Sequence, residues 1–157
     1  MKTIVILLSW MVVSASFAQQ PLPASRLAGV WQSAQKDLHV ELMEENGQTV
    51  GRIVWFSCPK HRQMSTYRDE ANPNSALRSR SWLGLKTLDN LIYANNNEWR
   101  GGHIYDPNSG HTYDARVTLT SPNRLTVRGY WKLPWLGKNL EFVRLQPAVP
   151  LPLQSNR

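Results

Sequence analysis

The stretch that most constrains the fold is residues 99–113, Trp-Arg-Gly-Gly-His-Ile-Tyr-Asp-Pro-Asn-Ser-Gly-His-Thr-Tyr. Its centre, Asp106-Pro107-Asn108-Ser109-Gly110, consists entirely of turn formers. Pro presets φ, Asn and Asp bond their own backbone, and Gly accepts positive φ. The arm that follows alternates, with Tyr113, Ala115, Val117 and Leu119 on one face and Thr112, Asp114, Arg116 and Thr118 on the other. A period of two is the pattern of a half-buried strand. Residues 98–105 and 111–120 therefore read as a β-hairpin, and Gly101-Gly102 as a bulge that lets the first arm coil.

The same logic extends in both directions. Asn46-Gly47 is the strongest short-range hairpin signal, because a tight primed turn needs positive φ at both central residues. Before it, Leu38, Val40 and Leu42 alternate with His39, Glu41 and Met43, which puts His39 on the outer face. After it, Ile53 and Trp55 share a face opposite Arg52 and Val54, with Gly51 marking a bulge. Residues 27–32 predict a first strand with Trp31 as a large inward anchor. Downstream, Ser121-Pro122-Asn123 turns the chain into residues 124–132, where Leu125, Val127, Gly129 and Trp131 oppose Thr126, Arg128 and Tyr130; a last strand covers residues 139–145.

Between these hairpins, residues 57–75 are polar and charged, a long excursion of the kind that forms binding lids or insertions. Within it Asn72-Pro73 predicts a helix cap leading into a short helical turn over residues 77–80. Residues 82–92 fit either a short helix, through Leu85, Leu88, Leu91 and Ile92, or a bent strand. About eight short strands joined mostly by hairpins predict an all-β fold, a closed antiparallel barrel or a sandwich. Trp31, Trp55, Trp82, Trp99, Trp131 and Trp135 lie on different elements and can converge on one interior, which in an eight-stranded barrel is either filled or holds one small ligand.

The chain opens with Lys2, an apolar run over residues 4–13 broken only by Ser9, and the small-residue segment Ser14-Ala15-Ser16-Phe17-Ala18. That order predicts a secretory signal over residues 1–18, cleaved near Ala18-Gln19. The apolar run is too short for a transmembrane helix, which needs roughly 20 residues. The mature chain is then expected in a periplasm or outside the cell. There residues 19–26 would be a loose lead-in, residues 27–145 one barrel domain, and residues 146–157 a Pro-rich disordered tail. Cys58 is the only cysteine, so no intrachain disulfide is possible and the core must hold the fold unaided. With 18 Lys and Arg against 11 Asp and Glu the chain is basic. Such a field attracts anionic lipid or glycan and also keeps a small protein soluble; export argues against nucleic acid as its partner.

Several motifs are familiar in this order: Gly29-Val30-Trp31, Gly51-Arg52-Ile53-Val54-Trp55, Asn72-Pro73, Leu77-Arg78-x-Arg80, Leu83-Gly84-Leu85, Trp99-Arg100-Gly101-Gly102-x-Ile104-Tyr105-Asp106-Pro107, Gly110-x-Thr112-Tyr113 and Leu125-x-Val127-Arg128-Gly129-Tyr130. Together, across roughly residues 27–145, the chain resembles the family called domain of unknown function 2147. The resemblance implies an exported bacterial protein with a compact lipocalin-like, or calycin-like, antiparallel barrel, and it implies no activity. The chain departs from the family in its last strand, Asn139-Leu140-Glu141-Phe142-Val143-Arg144, and in carrying Cys58 alone where some members have a cysteine pair.

Polar groups are densest around the central turn, at His103, Asp106, His111 and Asp114. In extended arms His103 and His111 can face each other and, with Asp114, offer three ligands of a zinc-like site. The spacing across the turn matches no recognised ligand pattern, however, and a calcium loop starting at Asp106 would have Val117 where a bidentate Glu is required. Turn formation is the favoured reading, with no metal and no cofactor expected. There is no Gly-x-Ser-x-Gly elbow and no His-Glu-x-x-His helix. The carboxylate pairs Glu44/Glu45 and Asp69/Glu70 read as solvated charges, so an enzyme is not expected. The favoured expectation is a small apolar or amphipathic ligand inside the barrel, walled by Trp31, Trp55, Trp82, Tyr113 and Trp131. The alternative is an envelope-associating protein whose basic loops, residues 60–68 and Arg78-x-Arg80, meet anionic lipid or polysaccharide.

Overall fold

In the computed structural model, which describes residues 26–145, the hairpins join edge to edge into a ring. The strands are β1 (Gly29–Ser33), β2 (Leu38–Glu45), β3 (Gln48–Phe56), β4 (Lys86–Asn95), β5 (Glu98–Asp106), β6 (His111–Ser121), β7 (Arg124–Tyr130) and β8 (Lys138–Arg144). Each pairs antiparallel with its neighbour in sequence, and β8 returns to β1, so the barrel has no free edge. Among the described residues the only helical pieces are 3-10 turns, and no helix is long and apolar enough to cross a membrane. The predicted leader, the lead-in up to residue 25 and the tail from residue 146 lie outside the described residues.

The two ends of the barrel differ. At one, the floor, the turns are the short pairs 46–47, 96–97 and 122–123. At the other, the mouth, the connections are residues 34–37, 57–85, 107–110 and 131–137. The floor is sealed. Leu27 is fully buried and its carbonyl accepts the Trp31 indole N–H at 2.8 Å. Above it Trp31, Leu42, Leu91, Trp99, Val117, Leu119, Leu125 and Phe142 pack as one core. Leu42, Val117, Leu119 and Leu125 lie on the period-two faces read from the sequence, and Trp31 is the inward anchor expected of the first strand.

Arg144, at the end of β8, holds the floor shut. Its guanidinium lies over the Trp31 ring, 4.1 Å from the centroid. It donates to the carbonyls of Arg26 at 2.7 Å, Pro122 at 3.1 Å and Ala28. Gly29 makes room for this: its φ is +125°, and a Cβ there would lie 2.9 Å from the guanidinium.

Bulges account for the main departures from simple alternation. The β5–β6 register shifts between Trp99 and Gly102, as the double glycine predicts, with Gly101 at φ +73°. A second shift, at His39/Val40, matches Val40 with Ile53 and His39 with Trp55, leaving Val54 as the extra residue. Trp55 therefore does not share the inward face of Ile53. It lies outside, stacked on His39 with ring centroids 4.5 Å apart. Residues 86–95 settle the helix-or-strand ambiguity as β4. The turn expected to start at Asn72-Pro73 is instead a 3-10 turn, Ser75–Leu77, capped by the Asn74 side chain, because Asn72 is engaged elsewhere.

Two polar groups in the interior, the Thr49 hydroxyl and the Trp99 indole N–H, have no hydrogen-bond partner among the described residues. A buried unpaired hydroxyl carries its desolvation penalty uncompensated, so Thr49→Val should leave stability unchanged or raise it by about 1 kcal/mol in chemical denaturation. By contrast Arg144→Lys, which keeps the charge but loses the planar fork and the stacking, should destabilise by about 1–3 kcal/mol in the same measurement.

Candidate functional site

The inward face changes character on the way up the barrel. In the lower half the inward residues Val40, Leu42, Ala115, Val117, Leu125 and Val127 are buried. In the upper half the next inward residues, Leu38, Ile104, Tyr113 and Leu140, are only half buried. Above Val127 the inward position is Gly129, which has no side chain; a Cβ there would stand 3.3 Å from Ile104 Cγ2 and 4.0 Å from Tyr113 Cβ. These residues of β2, β5, β6 and β8 form a half-buried apolar lining of the mouth, the cup, bounded on the β3 side by the buried Phe56 opposite Leu38. Trp131 is its rim, edge-on to Tyr113 at 6.1 Å.

The rest of the mouth is shaped by the excursion, residues 57–85, which runs as a strap. Its two limbs are tied together by the Arg68–Ser81 bridge, by Asp69 N–H to the Arg80 carbonyl at 3.0 Å and by Trp82 N–H to the Tyr67 carbonyl at 3.3 Å. Phe56, Tyr67 and Trp82 form an aromatic cluster with centroids 5.0–5.3 Å apart. Cys58 is half buried on the strap, its thiol donating to the Arg62 carbonyl at 3.1 Å.

The strap is anchored by Asp69, which is completely buried rather than solvated. Its carboxylate accepts from Tyr105 Oη, from Asn72 Nδ2 at 2.8 Å and from Arg80 at 2.6 Å. Asn72 also donates to Tyr105 Oη at 3.0 Å, and its Oδ1 accepts the Asn74 N–H at 2.9 Å. Burial pushes the Asp69 carboxyl up, but the three donors outweigh it and hold it below the usual carboxylate range. Burial and the same carboxylate push the Tyr105 phenol up. On the other side Ala71 lies against the central turn so closely that a Cβ on Gly110 would fall 2.0 Å from its carbonyl oxygen.

The polar residues singled out around the central turn are distributed differently from the metal arrangement. His103 stands opposite Asp114 and His111 opposite Asp106, so the two imidazoles do not face each other. Their parity also differs: His103 points outward, whereas His111 lies on the side of Tyr113, 6.3 Å from its ring. Asp106 closes the turn, accepting from Asn108 N–H at 3.0 Å and Ser109 Oγ at 2.8 Å. Among the described residues no three His, Cys, Asp or Glu side chains are placed to hold a metal ion.

Outside the barrel, an open polar groove of about 280 Å³ runs between the strap and strands β4–β6, with Arg80, Lys86, Asp89, His103 and Tyr105 along it. There His103 lies between Asp89, 3.5 Å from Nδ1, and Asp114, 3.9 Å from Nε2. The imidazole thus has a carboxylate toward each ring nitrogen.

Of the aromatic residues expected to wall a ligand, Trp31 is part of the packed floor, Trp55 is outside, and Trp82 is on the strap. Only Tyr113 and Trp131 border the cup. The Asp69–Asn72–Arg80–Tyr105 network was not evident from the sequence; its one local sign is the Asp-x-x-Asn spacing, which here forms a turn with Asn72 N–H on the Asp69 carbonyl at 3.0 Å.

Because Asp69 titrates lower in the folded than in the unfolded chain, its ionised form favours the folded state, and that contribution fades as pH falls below about 4. Asp69→Asn should destabilise by about 2–4 kcal/mol at neutral pH, by leaving Arg80 and Tyr105 mispaired. The gap between the two proteins in denaturation curves should narrow as pH is lowered below about 4.

No curated protein matches the sequence. A solved structure, protein HP1028 from Helicobacter pylori, described as belonging to the lipocalin family, superposes with a TM-score of 0.67 at 29% identity, over 76% of this chain and 83% of that one. The barrel is thus lipocalin-like. The family profile described as an uncharacterized protein conserved in bacteria, DUF2147, matches residues 29–144, and the chain belongs to that family.

Proposed function

We propose that the protein is an exported binding protein, not an enzyme, and that it holds one small apolar or amphipathic molecule by its apolar end in the cup at the barrel mouth. The observation that carries this reading is the change along the inward face, from fully buried residues below to the half-buried Leu38, Ile104, Tyr113 and Leu140 above, with Gly129 adding no side chain beside Ile104. The lipocalin-like barrel is compatible with small-molecule binding. The packed floor, filled by Trp31 and Trp99, moves the ligand up from the deep interior to the mouth. A polar head group would then lie outward, toward solvent.

A cup this shallow supports modest affinity. At about 0.3 kcal/mol per heavy atom, a ligand of about 25 such atoms reaches only the micromolar range. An amphipathic fluorescent probe such as an anilinonaphthalene sulfonate should therefore bind with enhanced emission. Gly129→Val, which puts a branched side chain against Ile104, should abolish that enhancement while leaving the far-UV circular dichroism unchanged. Absence of probe binding by the wild type, or equal binding by Gly129→Val, would overturn the cup as the site.

A further inference from the structure

We propose that the β7–β8 connection, residues 131–137, is a docking tip that seats Trp135 and Leu136 in the interfacial layer of an anionic phospholipid bilayer. Of the eight large hydrophobic residues exposed among the described residues, four fall here within six consecutive positions: Trp131 at 56%, Leu133 at 41%, Trp135 at 72% and Leu136 at 71%. Clustered exposure of this kind marks a contact surface rather than chance. The residue types indicate which contact. Indoles settle at membrane interfaces, where one edge is apolar and the other wet, and Lys132 and Lys138 stand on either side of Trp135 and Leu136 to meet phosphate.

The backbone is also suited to shallow immersion, in which an unpaired N–H or C=O is expensive. Pro134 has no N–H, and Pro134–Leu136 is a 3-10 turn. Leu136 N–H bonds the Leu133 carbonyl at 3.1 Å, Gly137 N–H the Pro134 carbonyl at 3.3 Å, and Leu133 N–H the Trp131 carbonyl at 2.6 Å. From below, Arg128 donates Nε to the Pro134 carbonyl at 2.7 Å and a second nitrogen to Asn139 Oδ1 at 2.7 Å, stapling the tip to the barrel wall. The apolar side chains are therefore presented by a fixed turn.

Charge supplies the orientation. The four mouth connections carry seven Lys or Arg against three Asp or Glu, one of which is the buried Asp69, while the three floor turns carry no charge. A surface of negative potential would draw the mouth end toward it and present the tip first. A protein partner or a second copy fits less well, since a stable protein interface buries about 800 Å² on each side and this tip offers only a few side chains. Docking does not require the cup to be occupied, so the two readings can fail separately.

The test is co-sedimentation and tryptophan emission with vesicles of phosphatidylethanolamine and phosphatidylglycerol, against vesicles of phosphatidylcholine alone. The protein should pellet with the anionic vesicles, with emission shifted to the blue and binding that weakens as salt rises. The double variant Trp135→Ser/Leu136→Ser should bind roughly tenfold more weakly or worse, with an unchanged thermal midpoint, because both side chains are exposed. Lys132→Glu/Lys138→Glu should lose the preference for anionic vesicles. Equal binding by the Trp135→Ser/Leu136→Ser variant overturns the proposal, as does equal binding to phosphatidylcholine. It is also overturned if sedimentation velocity shows a vesicle-independent dimer that these two substitutions abolish, which would make the tip a contact between copies.

Discussion

The barrel depends on one side chain lying across its floor. Arg144 stacks on Trp31 and reaches three backbone carbonyls, two from the segment before β1 and one from the β6–β7 turn. It thereby joins the beginning of the domain, its end and a turn between them. Burial lowers the Arg144 pKa, but an arginine remains charged under any condition in which the chain folds. The charge is retained where a flat cation can sit on an indole and satisfy carbonyls that would otherwise face a packed floor. Gly29 is the complementary concession in the backbone, two residues before the Trp31 that the cation covers.

With the floor fixed, variation is concentrated at the other end. The floor turns are two residues long and uncharged, whereas the mouth has the strap, the cup and the exposed β7–β8 tip. Binding surfaces on barrels are commonly carried by loops on a rigid frame, and the division of labour here is of that kind. The strap is no loose flap: a buried carboxylate with three donors, an aromatic cluster, and the contact of Ala71 with Gly110 hold it in one place.

Much of this was legible in the sequence, and the exceptions have physical causes. Alternation and turn chemistry located the β2–β3, β5–β6 and β6–β7 hairpins, because strand faces repeat every two residues and tight turns accept few residue types, whereas β4 fitted a helix as well as a strand. Gly101-Gly102 announced its bulge through the residues a positive φ requires. The bulge near Val54 gave no such sign, since no glycine marks it, and a single unannounced extra residue was enough to move Trp55 from the inner to the outer face. The burial of Asp69 is hidden in the sequence for another reason. A carboxylate in a polar stretch looks solvated unless its donors are known, and Tyr105 lies 36 positions away while Arg80 lies 11 away. The tryptophans show the same limit. Composition reveals their number, but only the register separates Trp31 in the core from Trp135 in solvent.

The seam between β1 and β8 also governs when the structure can form. Trp31 pairs with Arg144, so the last link in the ring joins residues at opposite ends of the described chain. Contacts so distant in sequence form late, after the local hairpins have repaid the entropy of bringing the ends together. A nascent chain still lacking Arg144 has every hairpin available but an open ring with two bare strand edges. Only the final strand covers both edges at once, by pairing with β7 on one side and β1 on the other.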